Sequence, residues 1–330
     1  MRRAALLLAS LIALWSLWAL ALPCSIPAGK ATVSIAVGQG ASAIGRELER
    51  AGAVHSALGF RLAAALSGRQ GRLKAGDYEV PSGLSPWEVA ELLVSGRSLL
   101  QSFLIPEGLA AVQVAELLAG KGLADKKKFL ALVADAALAK SLRSLGPTLE
   151  GVLFPDSYQI ARGLPEKAVI EMMVRRFYEK VPASLLAKGG AIRLSPLQVL
   201  TMASVIEKEA RLPDDRTMVS AVFRNRMRAK KRLESCATVR YALEKYTGPV
   251  LLKDLEAASP YNTYRNFGLP PGPICSPGLA SIQAALAPTN TEAMYFVAAG
   301  DGRHVFSRTF EEHVAAKSRF KKLKKGVVED

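Results

Sequence analysis

From residue 4 to residue 22 the chain is uncharged and almost wholly apolar, and Met1-Arg2-Arg3 precedes that run. At helical rise it reaches about 28 Å, close to the roughly 30 Å hydrocarbon core of a bilayer. Trp15 and Trp18 stand near its far end, where indole rings favour the membrane interface. The leading arginines favour export of everything that follows. A retained anchor is expected over residues 1–23. Ala19-Leu20-Ala21 also has the small-x-small look of a signal-peptidase site, which leaves a cleaved leader open. Pro23 directly before Cys24 speaks against lipidation. Each alternative leaves the rest of the chain outside the cytoplasm.

After a linker at 24–30 the periodicity changes. Residues 31–38 (ATVSIAVG) alternate apolar positions and end at glycine, as a strand does. Residues 41–51 place Ile44, Leu48 and Ala51 on one helical face, and 54–66 read as a second helix. A short strand follows at 74–80, closed by Pro81-Ser-Gly83. Ser85 and Pro86 are a cap and a first-turn proline, opening a helix over 86–95. Residues 31–104 thus predict a small α+β module.

Beyond it, 101–105 predict a strand, 110–119 and 126–134 helices, 150–158 a polar-aromatic loop, and 169–180 another helix. Ser195 and Pro196 open a helix that runs to Ala210, and a second spans 214–227. Residues 233–239 read as a loop entering a helix, 279–286 as a helix, and 294–298 with 304–307 as a hairpin across Gly300-Asp-Gly-Arg303. The fold class expected is α+β, with a larger mixed α+β domain over 105–325.

Composition narrows the chemistry. Hydrophobic residues make up 50% of the 330 and charged ones 22%, enough for sizeable cores and too apolar for disorder. Three cysteines allow one bridge at most, and His55, His304 and His313 are scattered, so neither a disulfide framework nor a metal or other cofactor is expected. The formal charge of +15 suggests a polyanion partner, with nucleic acid first in line. Export removes nucleic acid from the expected partners.

The helix from 196 to 210 carries the most specific chemistry. At 100° per residue, Leu200, Ala203, Ser204 and Ala210 fall within about 60° of Glu207, whereas Glu209 points about 160° away. A glutamate on a small, apolar face loses hydration and holds a proton more readily, as a general acid must. The plainer alternative pairs Glu207 with Lys208 or Arg211 on a solvated face. Downstream, 224–232 is a dense basic run, either a solvated face or a contact for an anionic polymer. The proline- and glycine-rich stretch 259–278 is stiff. It suits either sugar recognition by exposed tyrosine and asparagine or a simple connection.

Taken in order, Ile105-Pro-Glu-Gly108, Leu149-Glu-Gly-Val-Leu-Phe-Pro-Asp156, Ala203-Ser-Val-Ile-Glu-Lys-Glu209 and Val222-Phe-Arg-Asn-Arg226 form an ordered set. Ser259-Pro-Tyr-Asn-Thr-Tyr264, Gly268-Leu-Pro-Pro-Gly272, Tyr295-Phe-Val297 and His304-Val-Phe-Ser307 complete it. This series resembles the endolytic murein transglycosylases of the YceG type, from about residue 33 to residue 320. The resemblance implies a membrane helix, a LysM-like peptidoglycan-binding module and a catalytic domain whose acid is Glu207. It implies cleavage of the β-1,4 bond between N-acetylmuramic acid and N-acetylglucosamine in nascent strands, without water, leaving 1,6-anhydro ends. Glycan strands and cell-wall synthases (penicillin-binding proteins) become the expected partners, with the catalytic domain on the outer face of the cytoplasmic membrane. Asn225, Thr238, Tyr261, Asn262 and Tyr264 are the candidates for lining the cleft. A non-catalytic wall-binding scaffold is the competing expectation. Where family members often read L-Q-S-D-P-T-V, this chain has Leu233-Glu-Ser-Cys-Ala-Thr-Val239, so Cys236 replaces an aspartate. In an exported chain, Cys236 and Cys275 are candidates for one disulfide.

Overall fold

The computed structural model describes residues 22–299 and 303–326, with main chain alone at Gln101 and 320–326. The expected anchor, apart from its last residues, and three of the four hairpin-turn residues lie outside the described residues. Among the described residues no single helix is long and apolar enough to cross a membrane.

The chain divides into two compact units, and the architecture is mixed α+β. The first holds residues up to Phe103 and takes back Leu118–Ala124 and Ser157–Pro165. Strands β1 (Lys30–Ile35) and β2 (Gly76–Pro81) pair antiparallel, with Val33 opposite Tyr78. Ala31, Val33 and Ile35 point inward at every second position, as the alternation in the sequence requires. Helices α1 (Ala41–Arg50), α2 (Ala57–Leu66) and α3 (Pro86–Ser95) close the core over Ile35, Ile44, Leu48, Phe60, Tyr78, Val89 and Leu93. Each such fully buried large side chain stabilises by about 1.5–3 kcal/mol. The Tyr78 hydroxyl, buried with its ring, donates to the Lys74 and Leu93 carbonyls.

Two local details depart from the sequence reading. The second helix starts at Ala57 rather than 54, because the Ser56 hydroxyl accepts the Gly59 N–H and caps it. Val54 is buried ahead of the helix, so it reads as part of the stripe without belonging to it. The expected loop at 150–158 ends in a strand: β3 (Leu100–Leu104) pairs with β4 (Ser157–Ala161), whose Tyr158 and Ile160 face inward.

The second unit holds Leu104–Leu117, Asp125–Asp156 and everything from Glu166. Helices α4 (Ala111–Gly120), α5 (Lys126–Ala134), α6 (Ala136–Ser141), α7 (Glu166–Lys180) and α8 (Ala183–Ala187) lead to its centre, α9 (Pro196–Glu209). From Val199 to Ile206 every residue of α9 is buried, so it is a core helix with no solvated face over that span. Around it pack α10 (Asp215–Arg228), α11 (Cys236–Ala242) and α12 (Leu279–Leu286). Strands β5 (Tyr295–Ala298) and β6 (His304–Ser307) form the expected antiparallel hairpin, and α13 (Phe310–Gly326) follows. Phe296 of β5 meets Phe223 of α10 edge to face at 5.7 Å.

The basic run is not one surface. Arg226 is buried, donating to the Arg232 and Met294 carbonyls, pairing with Glu234 and lying 5.3 Å over the Tyr295 ring. Arg228 and Lys230 to Arg232 are exposed. The three cysteines are free thiols, so the candidate bridge is absent: Cys236 bonds the Tyr264 hydroxyl and buried Cys275 donates to the Ser204 carbonyl.

Candidate active site

Local sequence builds the catalytic helix. The Ser195 hydroxyl accepts the Gln198 N–H and the Gln198 side chain returns the bond to the Ser195 N–H, with Pro196 in the first turn. Twelve positions after Ser195 the helix nears its far end, and there Glu207 emerges with only 7% of its side chain exposed. A carboxylate in the last turn faces the negative end of its own helix dipole. Two partners from other segments answer that. The Gly278 N–H donates to Oε2 at 3.0 Å, and an Arg216 guanidinium nitrogen lies 3.7 Å from Oε1. Gly278 is the N-cap of α12, so the carboxylate occupies the positive end of a second helix. The apolar face expected for Glu207 is therefore half the picture; a cation and a main-chain donor complete it.

A second carboxylate stands beside the first. Glu107 lies 3.9 Å from the same Arg216 nitrogen, and a Cβ at Gly278 would come within 2.0 Å of its Oε1. Only glycine leaves room for Glu107 there. Burial pushes the Glu107 carboxyl up from its ordinary range, the charge of Glu207 pushes it further, and Arg216 offsets part of this. The Ile105-Pro-Glu-Gly108 segment is held against this corner by main chain: Gly108 N–H donates to the Ser276 carbonyl and Ser276 N–H to that of Leu109. Lys208 ties it down as well, donating to the Gly108 carbonyl at 2.9 Å. The loop that delivers Gly278 hangs from α9 itself, because the buried Ser204 hydroxyl accepts the Ile274 N–H at 3.0 Å and donates to the Thr201 carbonyl. Glu107 and Gly278 stood in segments the sequence marked, the Ile105–Gly108 motif and the stiff stretch 259–278, without being singled out, and Arg216 had no signal of its own.

Glu209 belongs elsewhere. It accepts the Ser235 hydroxyl and faces a cavity of about 290 Å³ with Cys236, Tyr264, Tyr295 and Phe296. Burial pushes its carboxyl up, with Ser235 and the Ala237 N–H opposing.

The five candidate cleft residues do not share one cavity. Asn262 is fully buried; its amide donates to the Leu255 and Ala257 carbonyls and its oxygen accepts the Tyr264 N–H. Thr238, also fully buried, donates to the Ser235 carbonyl and bonds Thr263. Asn225 donates to the Thr291 and Ala293 carbonyls. These three hold chain to chain. The exposed asparagine expected in the stiff stretch is thus an internal strut. Tyr264 lines the Glu209 cavity, whereas Tyr261 lines another with Glu150 and Tyr241. Glu150, quoted in the sequence only within the Leu149–Asp156 motif, accepts the Ala111 N–H and the Tyr241 hydroxyl, and burial pushes its carboxyl up to about 7.

The sequence profile of the YceG-like family matches residues 33–319. The endolytic murein transglycosylase of Bacillus subtilis (strain 168) is 33% identical over 313 residues, covering 88% of this chain and 85% of that protein. The enzyme of the same name from Streptococcus pneumoniae serotype 2 (strain D39) is 30% identical over 317 residues, covering 86% of this chain and 57% of its own. A crystal structure of a YceG-like protein from Listeria monocytogenes has a TM-score of 0.61 at 32% identity, covering 87% of this chain and 99% of that one.

Proposed function

The chain belongs to the YceG-like family, and from that membership we infer that it is an endolytic murein transglycosylase, a lyase acting on peptidoglycan. The observation that carries the chemistry is Glu207, enclosed and bracketed by the Gly278 N–H and Arg216. Protonated Glu207 donates to the glycosidic oxygen between N-acetylmuramic acid and N-acetylglucosamine as that bond breaks. The resulting carboxylate, held by Gly278 and Arg216, then takes the proton of the muramoyl 6-hydroxyl while its oxygen closes onto C1. The substrate supplies its own nucleophile at high effective concentration, so water is excluded from the product. One carboxylate can serve both transfers, unlike the paired acids of ordinary glycosidases. Tyr261 and Tyr264 are the candidate aromatic platforms for sugar rings, with Asn225, Thr238 and Asn262 shaping the segments that present them.

Around this reaction stand the module over 31–104, read as LysM-like and peptidoglycan-binding, and an N-terminal anchor that leaves both units outside the cytoplasmic membrane. Synthases that extend the strands are the fitting partners, since cutting nascent glycan sets its length. The exposed cations Arg228 and Lys230 to Arg232 suit anionic lipid and carboxylate-bearing wall.

Digestion of purified glycan strands tests the activity. The expected fragments end in anhydro sugar, lighter by one water than reducing ends in mass spectrometry; reducing ends alone would make the protein a hydrolase, and no fragments a scaffold. For the location, a topology reporter fused after Lys30 should be active only outside the cytoplasm, and cytoplasmic activity would overturn the anchor.

A further inference from the structure

A cavity of about 560 Å³ in the second unit holds no group of the proton transfers above, although Tyr261, offered there as a platform for a sugar ring, is part of its wall. Tyr241, Tyr246 and Tyr261 form its aromatic wall, and the rings of Tyr241 and Tyr261 stand 4.8 Å apart, inclined by 49°. Its charged groups are Glu150, Glu244 and Lys126. The Lys126 ammonium is 2.7 Å from Glu116, which leaves Glu150 inside and Glu244 at the exposed rim as the acids of the cavity. The tyrosines register that field. Burial first, then the charges of Glu150, Glu244 and Glu116, push the Tyr246 phenol up; Tyr241 responds likewise to burial and Glu150. Glu150 itself has three donors in the Ala111 and Gly151 N–H groups and the Tyr241 hydroxyl, yet no cation partner among them.

Carboxylates within a tyrosine-walled hollow attract a cation, which gains from the ring faces and from the acid together. An anion would be repelled there, and a neutral sugar would leave the field unanswered. We propose that this cavity binds a primary ammonium group of the peptides borne by the glycan strand, so that the enzyme reads the peptide as well as the sugar backbone. The identity of that ligand rests on the murein reading above. The cavity is joined to the catalytic helix: Gly151, next to Glu150, packs against Leu200 of α9 and against Pro273.

The test uses the full chain and one strand preparation divided in two, with peptide amines left free in one half and acetylated in the other. The wild-type protein should cleave free-amine strands with about tenfold higher kcat/KM, the size of a desolvated cation–π contact with a charge partner. Glu150→Gln should bring that ratio close to one. Tyr246→Leu should do the same while leaving the hydrogen bonds of Glu150 in place, so it reads the site even where Glu150→Gln does not fold. n-Butylammonium chloride should inhibit cleavage of free-amine strands selectively. Equal cleavage of both halves by the wild type, or a preference that survives both substitutions, would overturn the proposal. Anhydro ends formed from the acetylated half report on the murein reading separately.

Discussion

Glu207→Gln is expected to lower kcat for anhydro-product formation by roughly 10²- to 10⁴-fold, the range for a lost general acid–base group. The amide keeps the volume and can still accept the Gly278 N–H, but it has no proton to give and no charge to set against Arg216. Folding should change little, since one acceptor and the packing remain. The matched control is Glu209→Gln. That residue is held by Ser235 in a different cavity, so its loss should act on stability more than on turnover. Fragment analysis on both variants decides the assignment. Activity retained in Glu207→Gln and lost in Glu209→Gln would transfer the acid's role two residues along the helix.

The second large effect is on stability, at Gly151→Ala. Gly151 has φ of +87°, where an L side chain is strained, and a Cβ there would lie 2.5 and 2.6 Å from Pro273 ring carbons and 3.3 Å from Leu200. Neither neighbour yields easily. A proline ring is rigid, and Pro273 precedes Ile274, whose N–H is fastened to the buried Ser204. Left-handed backbone costs about 1–2 kcal/mol, and overpacking about 1–3 kcal/mol more. At roughly 2–4 °C per kcal/mol, the melting temperature should fall by about 4–20 °C. Gly248→Ala is the control, with φ of +73° and nothing within 4 Å, so it pays for the backbone alone. Equal losses in the two variants, followed by thermal melting, would show that the wall of Pro273 and Leu200 gives way.

Several elements could be read locally because their signals are local. The helices at 86–95, 126–134 and 279–286 coincide with the observed Pro86–Ser95, Lys126–Ala134 and Leu279–Leu286. Ser85 with Pro86 and Ser195 with Pro196 mark their starts through bonds that span three residues. Strand β4 escaped because its partner β3 lies some fifty residues earlier, and a five-residue strand has little pattern of its own. The cap at Ser56 was hidden by Val54, which is buried without being helical. Polar residues were the hardest to read. Asn262 and Thr238 look like sugar ligands in sequence, yet a buried amide or hydroxyl must be bonded by something, and here the partner is main chain.

The order of residues alone determined the helical placement of Glu207, the separation of its face from that of Glu209, and the family pattern around both. Those follow from the 100° step of a helix and from motifs a few residues long. Only the tertiary structure decided what Glu207 meets, with Gly278 and Arg216 beside it and Glu107 against the same glycine, and that Glu150 lines a separate tyrosine-walled cavity. These groups come from segments up to about 170 residues apart, and no local periodicity encodes a distance between them. Their charges act over a few ångströms of space, so their chemistry exists only once packing has brought them together.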